Sequence, residues 1–299
     1  MKRLFMTGAT GFFGKSMLDY RFRHPEWEWT KAEWVVLSRS PDKFIAGYPR
    51  LANQKGVSFI AGDVRDFAFP EGPFAAIIHA ATSAVNTLTD AEMTSVIIDG
   101  TRHIVDFANA VNCKTILFTS SGAVYGPRTS PAREDDECKP VTAYGKGKLA
   151  AEKMLRESGL DVKIARCFAF VGPYLNRNIH YAIGNFIQDC LDGRDIVIKG
   201  DGTPLRSYLY ADDLVEWLFA ILEHGQNGAV YNVGSDDSLS IEDLAHLVCK
   251  TLRKDSVIKV CEKSNGGMRS VYVPDISKSK LKLSLRVKTI TEDAIRKSI

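Results

Sequence analysis

Three glycines spaced three residues apart, Gly8, Gly11 and Gly14, follow directly on the apolar run Leu4-Phe5-Met6 and lead into a stretch with helical periodicity. Such a loop commits the chain to a strand-to-helix start, because glycine lets the backbone turn tightly and bring the helix close against the strand. It also aims a helix N-terminus, with its free N–H groups and positive dipole end, at whatever lies above it. The segment Thr7-Gly8-Ala9-Thr10-Gly11-Phe12-Phe13-Gly14 therefore suits a dinucleotide pyrophosphate, with Gly8, Thr10, Gly11, Phe12, Phe13 and Gly14 around it. The spacing is G-x-x-G-x-x-G, not the commoner G-x-G-x-x-G, and a plain tight turn is the alternative reading.

Beyond the loop, short apolar runs alternate with helix-like stretches. Leu4 to Met6, Trp34 to Leu37, Val57 to Ile60, Ala75 to Ile78 and Thr115 to Phe118 read as strands, and Gly14 to Arg23, Asp90 to Val111 and Thr142 to Glu157 as helices. That alternation predicts a Rossmann-type doubly wound parallel sheet of the α/β class. After Pro173 the rhythm loosens into helices near Ala182 to Leu191, Asp212 to Leu222 and Ile241 to Leu252, separated by loops rich in Gly, Asp and Ser. Residues 1–173 are expected to form the dinucleotide-binding domain and 174–299 mainly a smaller C-terminal α/β substrate lobe, with Val162 to Ala165 and Val230 to Val233 returning to the main sheet. The stretch Arg23-His24-Pro25-Glu26-Trp27-Glu28-Trp29 lengthens the connection into the second strand and carries no functional assignment.

Composition excludes more than it selects. With 299 residues, 45% hydrophobic and 25% charged, the chain has the make-up of an ordinary globular protein, and a net charge of +3 announces no nucleic-acid footprint. Six cysteines, at 113, 138, 167, 190, 249 and 261, contain no C-x-x-C pair and have no nearby His at ligand spacing, so they read as buried thiols in a reducing compartment and no metal is expected. Without a signal-like core or a membrane-length apolar run, the expected location is cytoplasmic, away from any membrane.

Two further segments carry chemistry. Tyr144 and Lys148 stand four residues apart in a helical stretch, on one face, where an ammonium can favour the phenolate and make proton exchange at neutral pH feasible. Upstream, Thr119-Ser120-Ser121-Gly122-Ala123-Val124-Tyr125-Gly126 places hydroxyls at the C-terminal end of a strand, where open α/β sheets bind ligands. Surface Tyr and Lys side chains and simple turn caps are the bland readings of the two motifs.

Taken together with the glycine loop, these residues make the sequence similar to the extended short-chain dehydrogenase/reductase family, in particular its nucleotide-sugar epimerases, dehydratases and reductases. The resemblance runs on through Asp63-Val64, His79-Ala80-Ala81, Arg166, Gly172-Pro173, the segment Gly200 to Tyr208 and Asp212-Asp213. It implies that Gly8, Gly11 and Gly14 bind the cofactor pyrophosphate, that Asp63 and Val64 meet the adenine, and that His79, Ala80 and Ala81 line the cofactor. It further implies Tyr144 as general acid/base, Lys148 on the nicotinamide ribose, Ser121 polarising the reacting oxygen, and Ser120 as a lesser candidate on the substrate side. Arg206, with Arg269 as a second candidate, would meet the substrate diphosphate, with a structural ion pair as the other reading for both. Thr82 and Asn185 join the substrate candidates, the latter because Ala169 stands where relatives carry a phosphate-binding Asn, leaving Asn176, Asn178 or Asn185 to replace it.

Ser38-Arg39-Ser40 follow the second strand where an acidic residue would select NAD, so NADP is the expected cofactor and NAD the alternative. Family dehydratases place an Asp-Glu pair in the segment that here carries Ser and Gly, which disfavours elimination of water. The expected activity is NADPH-dependent reduction of a nucleotide-linked 4-keto-6-deoxyhexose, such as a dTDP sugar, for a surface polysaccharide. The alternatives are an NAD-dependent 4-epimerase and, remotely, a non-catalytic dinucleotide sensor. The resemblance also implies a homodimer built on the helices at Asp90 to Val111 and Thr142 to Glu157, although Ile104, Val105, Ala108 and Val111 suit the sheet-packing face equally.

Overall fold

The computed structural model describes residues 2–82, 88–177, 179, 181–263 and 266–299. In chain order the strands are β1 (Arg3–Thr7), β2 (Glu33–Ser38), β3 (Val57–Ala61), β4 (Ala76–His79), β5 (Thr115–Ser121), β6 (Asp161–Cys167), β7 (Phe170–Val171), β8 (Ile196–Ile198), β9 (Leu205–Ser207), β10 (Leu209–Tyr210), β11 (Val230–Val233), β12 (Ser238–Ser240), β13 (Ile258–Val260) and β14 (Val271–Tyr272). The helices are α1 (Phe12–Arg23), α2 (Glu28–Lys31), α3 (Pro41–Gly47), α4 (Pro49–Ala52), α5 (Asp90–Ala110), α6 (Ala143–Glu157), α7 (Ala182–Leu191), α8 (Ala211–His224), α9 (Ile241–Leu252), α10 (Ser277–Leu283) and α11 (Thr291–Arg296).

Seven strands form one parallel sheet in the order β11-β6-β5-β4-β1-β2-β3. The order reverses between β1 and β4, which places the ligand crevice beyond the C-terminal ends of β1, β4 and β5. The central strands β1, β2, β4 and β5 carry apolar residues on both faces, as a doubly covered sheet requires. Leu4, Met6, Trp34, Val36 and Ile78 pack toward α1 and α8, joining Met17, Leu18, Leu214 and Leu218. Phe5, Val35, Leu37, Ile77, Ile116 and Phe118 pack toward α5 and α6, joining Ile97, Ile104, Phe107 and Leu155. The later strand β11 does return to the sheet, beside β6.

The helices that position the site start on side-chain caps. Thr89 and Glu92 close a capping box on α5, and Thr142 Oγ1 accepts from the Gly145 N–H at the start of α6. Downstream, α7 and α9 pack over β8 and β10 in a separate apolar core built from Ile183, Phe186, Ile196, Leu244 and Val248. Two small sheets, β12-β9-β14 and β13-β8, complete this lobe.

Several expectations shift in detail. The Trp-rich connection forms α2 and packs inward: Trp29 and Trp34 are buried, and the Trp34 indole donates to the Trp29 carbonyl at 2.8 Å. Of the cysteines, Cys113, Cys167 and Cys190 are buried, Cys138 and Cys249 half-buried and Cys261 exposed, so uniform burial does not hold. Ile104 and Ala108 are buried in the core between α5 and the sheet, and the partly buried Val105 and Val111 pack against it, as the packing alternative expects. Among the described residues no helix is long and apolar enough to cross a membrane.

Candidate active site

The glycine loop is built as a cradle. Gly8 has φ +77°, and a Cβ there would stand 2.4 Å from the Ala80 carbonyl oxygen. A Cβ on Gly14 would lie 2.0 Å from Ala9 Cα, so α1 rests directly on the loop. Gly11 is different: a Cβ there would have only Gly8 O near it, at 3.4 Å, so packing within the chain does not require glycine at this position. Gly11 caps α1 without a side-chain bond, and the first turn holds no acidic residue. Uncapped N–H groups with no competing carboxylate fit a dinucleotide pyrophosphate. Thr10 and Gly11 are exposed at the tip, while Phe12 and Phe13 pack against Phe170.

At the end of β2, Ser38 is buried and its Oγ accepts from the Ser40 N–H at 3.2 Å, closing a turn that leaves Arg39 exposed. Across from it, Asp63 is bound by Arg65 through Nε at 2.7 Å and Nη2 at 3.1 Å. That pairing, with a smaller contribution from Arg39, holds the Asp63 carboxyl below its ordinary range. Asp63 thus has its carboxylate committed to Arg65, and Val64 is buried against Gly100.

The His79 side chain, expected on the cofactor, is instead enclosed behind the loop, bonded to Thr7 at 2.9 Å and Thr101 at 3.2 Å. Burial, and secondarily the Lys148 charge, push it down to about 3, so it is a neutral structural imidazole. Ala80 and Ala81 donate their N–H groups to Thr7 Oγ1, and Thr82 folds its hydroxyl onto the Ala81 carbonyl. Residues 83–87 and Asn178 lie outside the described residues.

Ser121, Tyr144 and Lys148 come together at the C-terminal end of β5. The Tyr144 phenol stands beside Ser121, which acts on it to lower its pKa, and Ser121 Oγ accepts from the Ala123 N–H at 3.1 Å. Lys148 is buried and donates from Nζ to the Thr119 carbonyl at 2.8 Å. Burial lowers Lys148 to about 8, opposed by Cys167 and Glu152. Burial raises the Tyr144 phenol, and Ser121 acts in the opposite direction. Burial therefore favours the protonated phenol at Tyr144, and Lys148, expected to favour the phenolate, is not among the groups that act most strongly on it.

Ser120 departs from its expected place. As the strand alternates, its side chain turns toward α6, where Oγ donates to Glu152 at 2.5 Å, so it is a buried anchor and not a substrate contact. In its stead the fold delivers Tyr272 from β14, whose hydroxyl lies 3.5 Å from Ser121 Oγ. The neighbours that act most strongly on the Tyr144 hydroxyl are Ser121, Tyr272, Cys167 and Tyr181, and none is a carboxylate. Tyr272 carried no sequence signal, because it reaches Ser121 across 151 residues from a two-residue strand.

Arg206 on β9 pairs in register with Tyr272, and its guanidinium lies 5.8 Å from the Tyr272 ring centre. Its hydrogen bond runs to the Leu205 carbonyl at 2.7 Å, and burial lowers its pKa, the signature of a guanidinium poor in compensating anions. Arg269 is exposed and donates to the Thr203 carbonyl. Asn185 donates to the Ile179 carbonyl at 2.5 Å, and its buried Oδ1 finds no partner among the described residues. Among the described residues no group of three or more His, Cys, Asp or Glu is placed to hold a metal ion.

The profile of the NAD dependent epimerase/dehydratase family matches residues 4–234. The chain is 30% identical over 292 residues to UDP-glucuronic acid decarboxylase 6 of Arabidopsis thaliana, covering 93% of this chain and 82% of that protein. It is 28% identical over 265 residues to dTDP-glucose 4,6-dehydratase of Streptomyces griseus, covering 84% and 79%. Its fold matches the crystal structure of UDP-glucuronic acid 4-epimerase from Bacillus cereus in complex with UDP-glucuronic acid and NAD, with TM-score 0.84, 21% identity and coverage of 99% and 97%. Since the matched region runs from β1 through β11 and includes the cradle, Ser121, Tyr144 and Lys148, the chain belongs to the NAD dependent epimerase/dehydratase family, an enzyme of the extended short-chain dehydrogenase/reductase type.

Proposed function

We propose that this enzyme reduces the 4-keto group of a nucleoside-diphosphate 6-deoxyhexose with NADPH. The observation that carries the reading is the make-up of the reaction cleft: Ser121, Tyr144 and Lys148 with phenols around them and no carboxylate among the groups acting most strongly on Tyr144. Elimination of water calls for a separate acid and base, whereas a carbonyl reduction needs one proton donor and one polarising hydroxyl.

Bound nicotinamide would supply the hydride. Tyr144, half-buried and kept protonated by burial of its phenol, gives a proton to the alkoxide oxygen, and Ser121 donates a hydrogen bond to that oxygen as its charge develops. Lys148, anchored on the Thr119 carbonyl, would hold the nicotinamide ribose and keep positive charge beneath Tyr144. Arg206 would meet the substrate diphosphate with its guanidinium fork.

The NADP preference rests on Ser38-Arg39-Ser40, which places a guanidinium and no carboxylate at the end of β2. The solved relatives named with a cofactor carry NAD, so the preference needs its own test. The dissociation constant of NADPH should rise about tenfold or more in Arg39→Ala, with that of NADH changed by less than about threefold. A wild type that binds NADH more tightly than NADPH overturns the preference.

The decisive assay is NADPH consumption with 4-keto-6-deoxy sugar nucleotides, set beside the cofactor extracted from the purified protein. Stoichiometric turnover from a freely exchanging site supports the reductase. Tightly held NAD with interconversion of 4-hydroxyl epimers supports a 4-epimerase, for which the same Ser121, Tyr144 and Lys148 would serve. A cytoplasmic homodimer belongs to the same reading, and sedimentation at micromolar concentration tests the assembly.

A further inference from the structure

Tyr144, Lys148 and Glu152 follow one another at intervals of four along α6, so they form one stripe on the face that lies over β5. Each engages a different residue at the end of that strand. Tyr144 stands beside Ser121, Lys148 donates to the Thr119 carbonyl, and Glu152 accepts from Ser120 Oγ at 2.5 Å. Glu152 has no solvent exposure, and its charge is met from β6 by Arg166, with Nε on Oε1 at 3.0 Å and Nη2 on Oε2 at 2.8 Å. Arg166 stands beside Ser120 in the sheet register, so one carboxylate ties the ends of β5 and β6 to the helix that carries Tyr144 and Lys148.

We propose that Glu152 is a positioning residue of the reaction site, which with Arg166 sets the Ser121 hydroxyl through its neighbour Ser120 and supports the ammonium of Lys148 one turn away. A buried ion pair is weak evidence for stability, since an apolar pair of similar volume often does as well. Placement behind the working residues gives this pair a second reason to exist, because a shift of about 1 Å in a catalytic group costs about a hundredfold in rate.

The inference rests on Ser121, Tyr144 and Lys148 being the working residues. The groups around Lys148 are Tyr144 and Glu152 from α6, Cys167 from β6, the neutral His79 from β4, and the Thr119 carbonyl and Phe118 ring from β5. Of these Glu152 alone is a carboxylate. Burial lowers Lys148, and Cys167 and Glu152 act in the opposite direction, so loss of the Glu152 charge removes support for the ammonium.

Two variants test the proposal with different readouts. Ser120→Ala removes the link and leaves the ion pair; kcat for NADPH consumption should fall about tenfold or more while the KM for NADPH stays within about twofold. Glu152→Gln keeps an acceptor for Ser120 but not the charge. In 15N-lysine NMR, with the Lys148 signal assigned by its loss in Lys148→Arg, the Lys148 titration should move about one unit lower. If Glu152→Gln does not fold, the Ser120→Ala arm decides the proposal alone. An unchanged Lys148 titration in the folded variant, or an unchanged kcat in Ser120→Ala, overturns the proposal. The NMR arm needs no substrate, so failure to find a 4-keto substrate for the wild type would count against the reductase reading and leave this one decided separately.

Discussion

Thr7 Oγ1 lies 2.9 Å from His79 Nδ1, and the contact fixes which nitrogen of the buried ring carries the proton. Thr7 Oγ1 already accepts from the N–H groups of Ala80 at 3.1 Å and Ala81 at 3.0 Å, so its own hydrogen goes to Nδ1. The proton of the neutral ring is then on Nε2, donated to Thr101 Oγ1 at 3.2 Å, and Thr101 donates onward to the Ile97 carbonyl at 2.6 Å. One chain of hydrogen bonds thus joins the end of β1, the backbone against which Gly8 rests, and α5.

The chain of bonds makes His79 a source of acid sensitivity. Its pKa is about 3 in the folded protein against an ordinary value of 6.5, so below neutrality the unfolded state binds the extra proton. Stability from this group is complete above the ordinary value and is lost as pH falls from there toward the folded one, with a slope approaching about 1.4 kcal/mol per pH unit. Urea titrations at pH 7 and pH 5 should show wild type losing more stability than His79→Gln. Equal losses would mean that the ring is protonated in the folded state.

The three loop glycines should respond differently to alanine. Gly8→Ala and Gly14→Ala force a Cβ into backbone at 2.4 Å and 2.0 Å, and should lower the melting temperature by several degrees or prevent folding. Gly11→Ala meets its nearest atom at 3.4 Å and should melt near wild type while NADPH binding weakens about tenfold or more. Tight NADPH binding by Gly11→Ala would remove the pyrophosphate from that position.

Tyr144→Phe leaves the Lys148 anchor in place and removes the proton donor. Turnover should drop about a hundredfold or more with the NADPH dissociation constant within about twofold of wild type. Because Lys148 titrates near 8, wild-type turnover should also decline as the pH rises through that value and the ammonium is lost. A pH profile flat to pH 10 would show that the charge is not needed.

Arg206→Ala should weaken binding of UDP or dTDP, used as probes of the diphosphate site, by about tenfold or more, since a charge-assisted guanidinium pair is lost. Arg269, exposed and bonded to a loop carbonyl, should matter less. Isothermal titration of the two variants ranks them, and a larger loss in Arg269→Ala would reverse the assignment.

The sequence was most legible where a residue's role is local. Alternating apolar runs gave the sheet strands within a few residues, and α7 and α9 begin and end where the periodicity does, because burial on a sheet or helix face imposes its own period. The glycine loop and the Tyr144-Lys148 pair could be read directly, since each is a short segment whose geometry its own residues dictate. Short elements such as α2, α10 and β14 were not legible, because they form through tertiary packing and carry little periodicity of their own.

Only the tertiary structure decided what faces what. It turned Ser120 to Glu152, enclosed His79 behind Thr7, and brought Tyr272 to Ser121 from 151 residues away. It also made burial the largest influence on the Tyr144 phenol, raising its pKa. The sequence by itself determined the α/β order, the glycine loop and the placement of Tyr144 and Lys148 on one helix face, because these follow from backbone sterics and local spacing. Hydroxyl orientation, desolvation and long-range contacts depend on how separate segments pack, and linear spacing does not encode them.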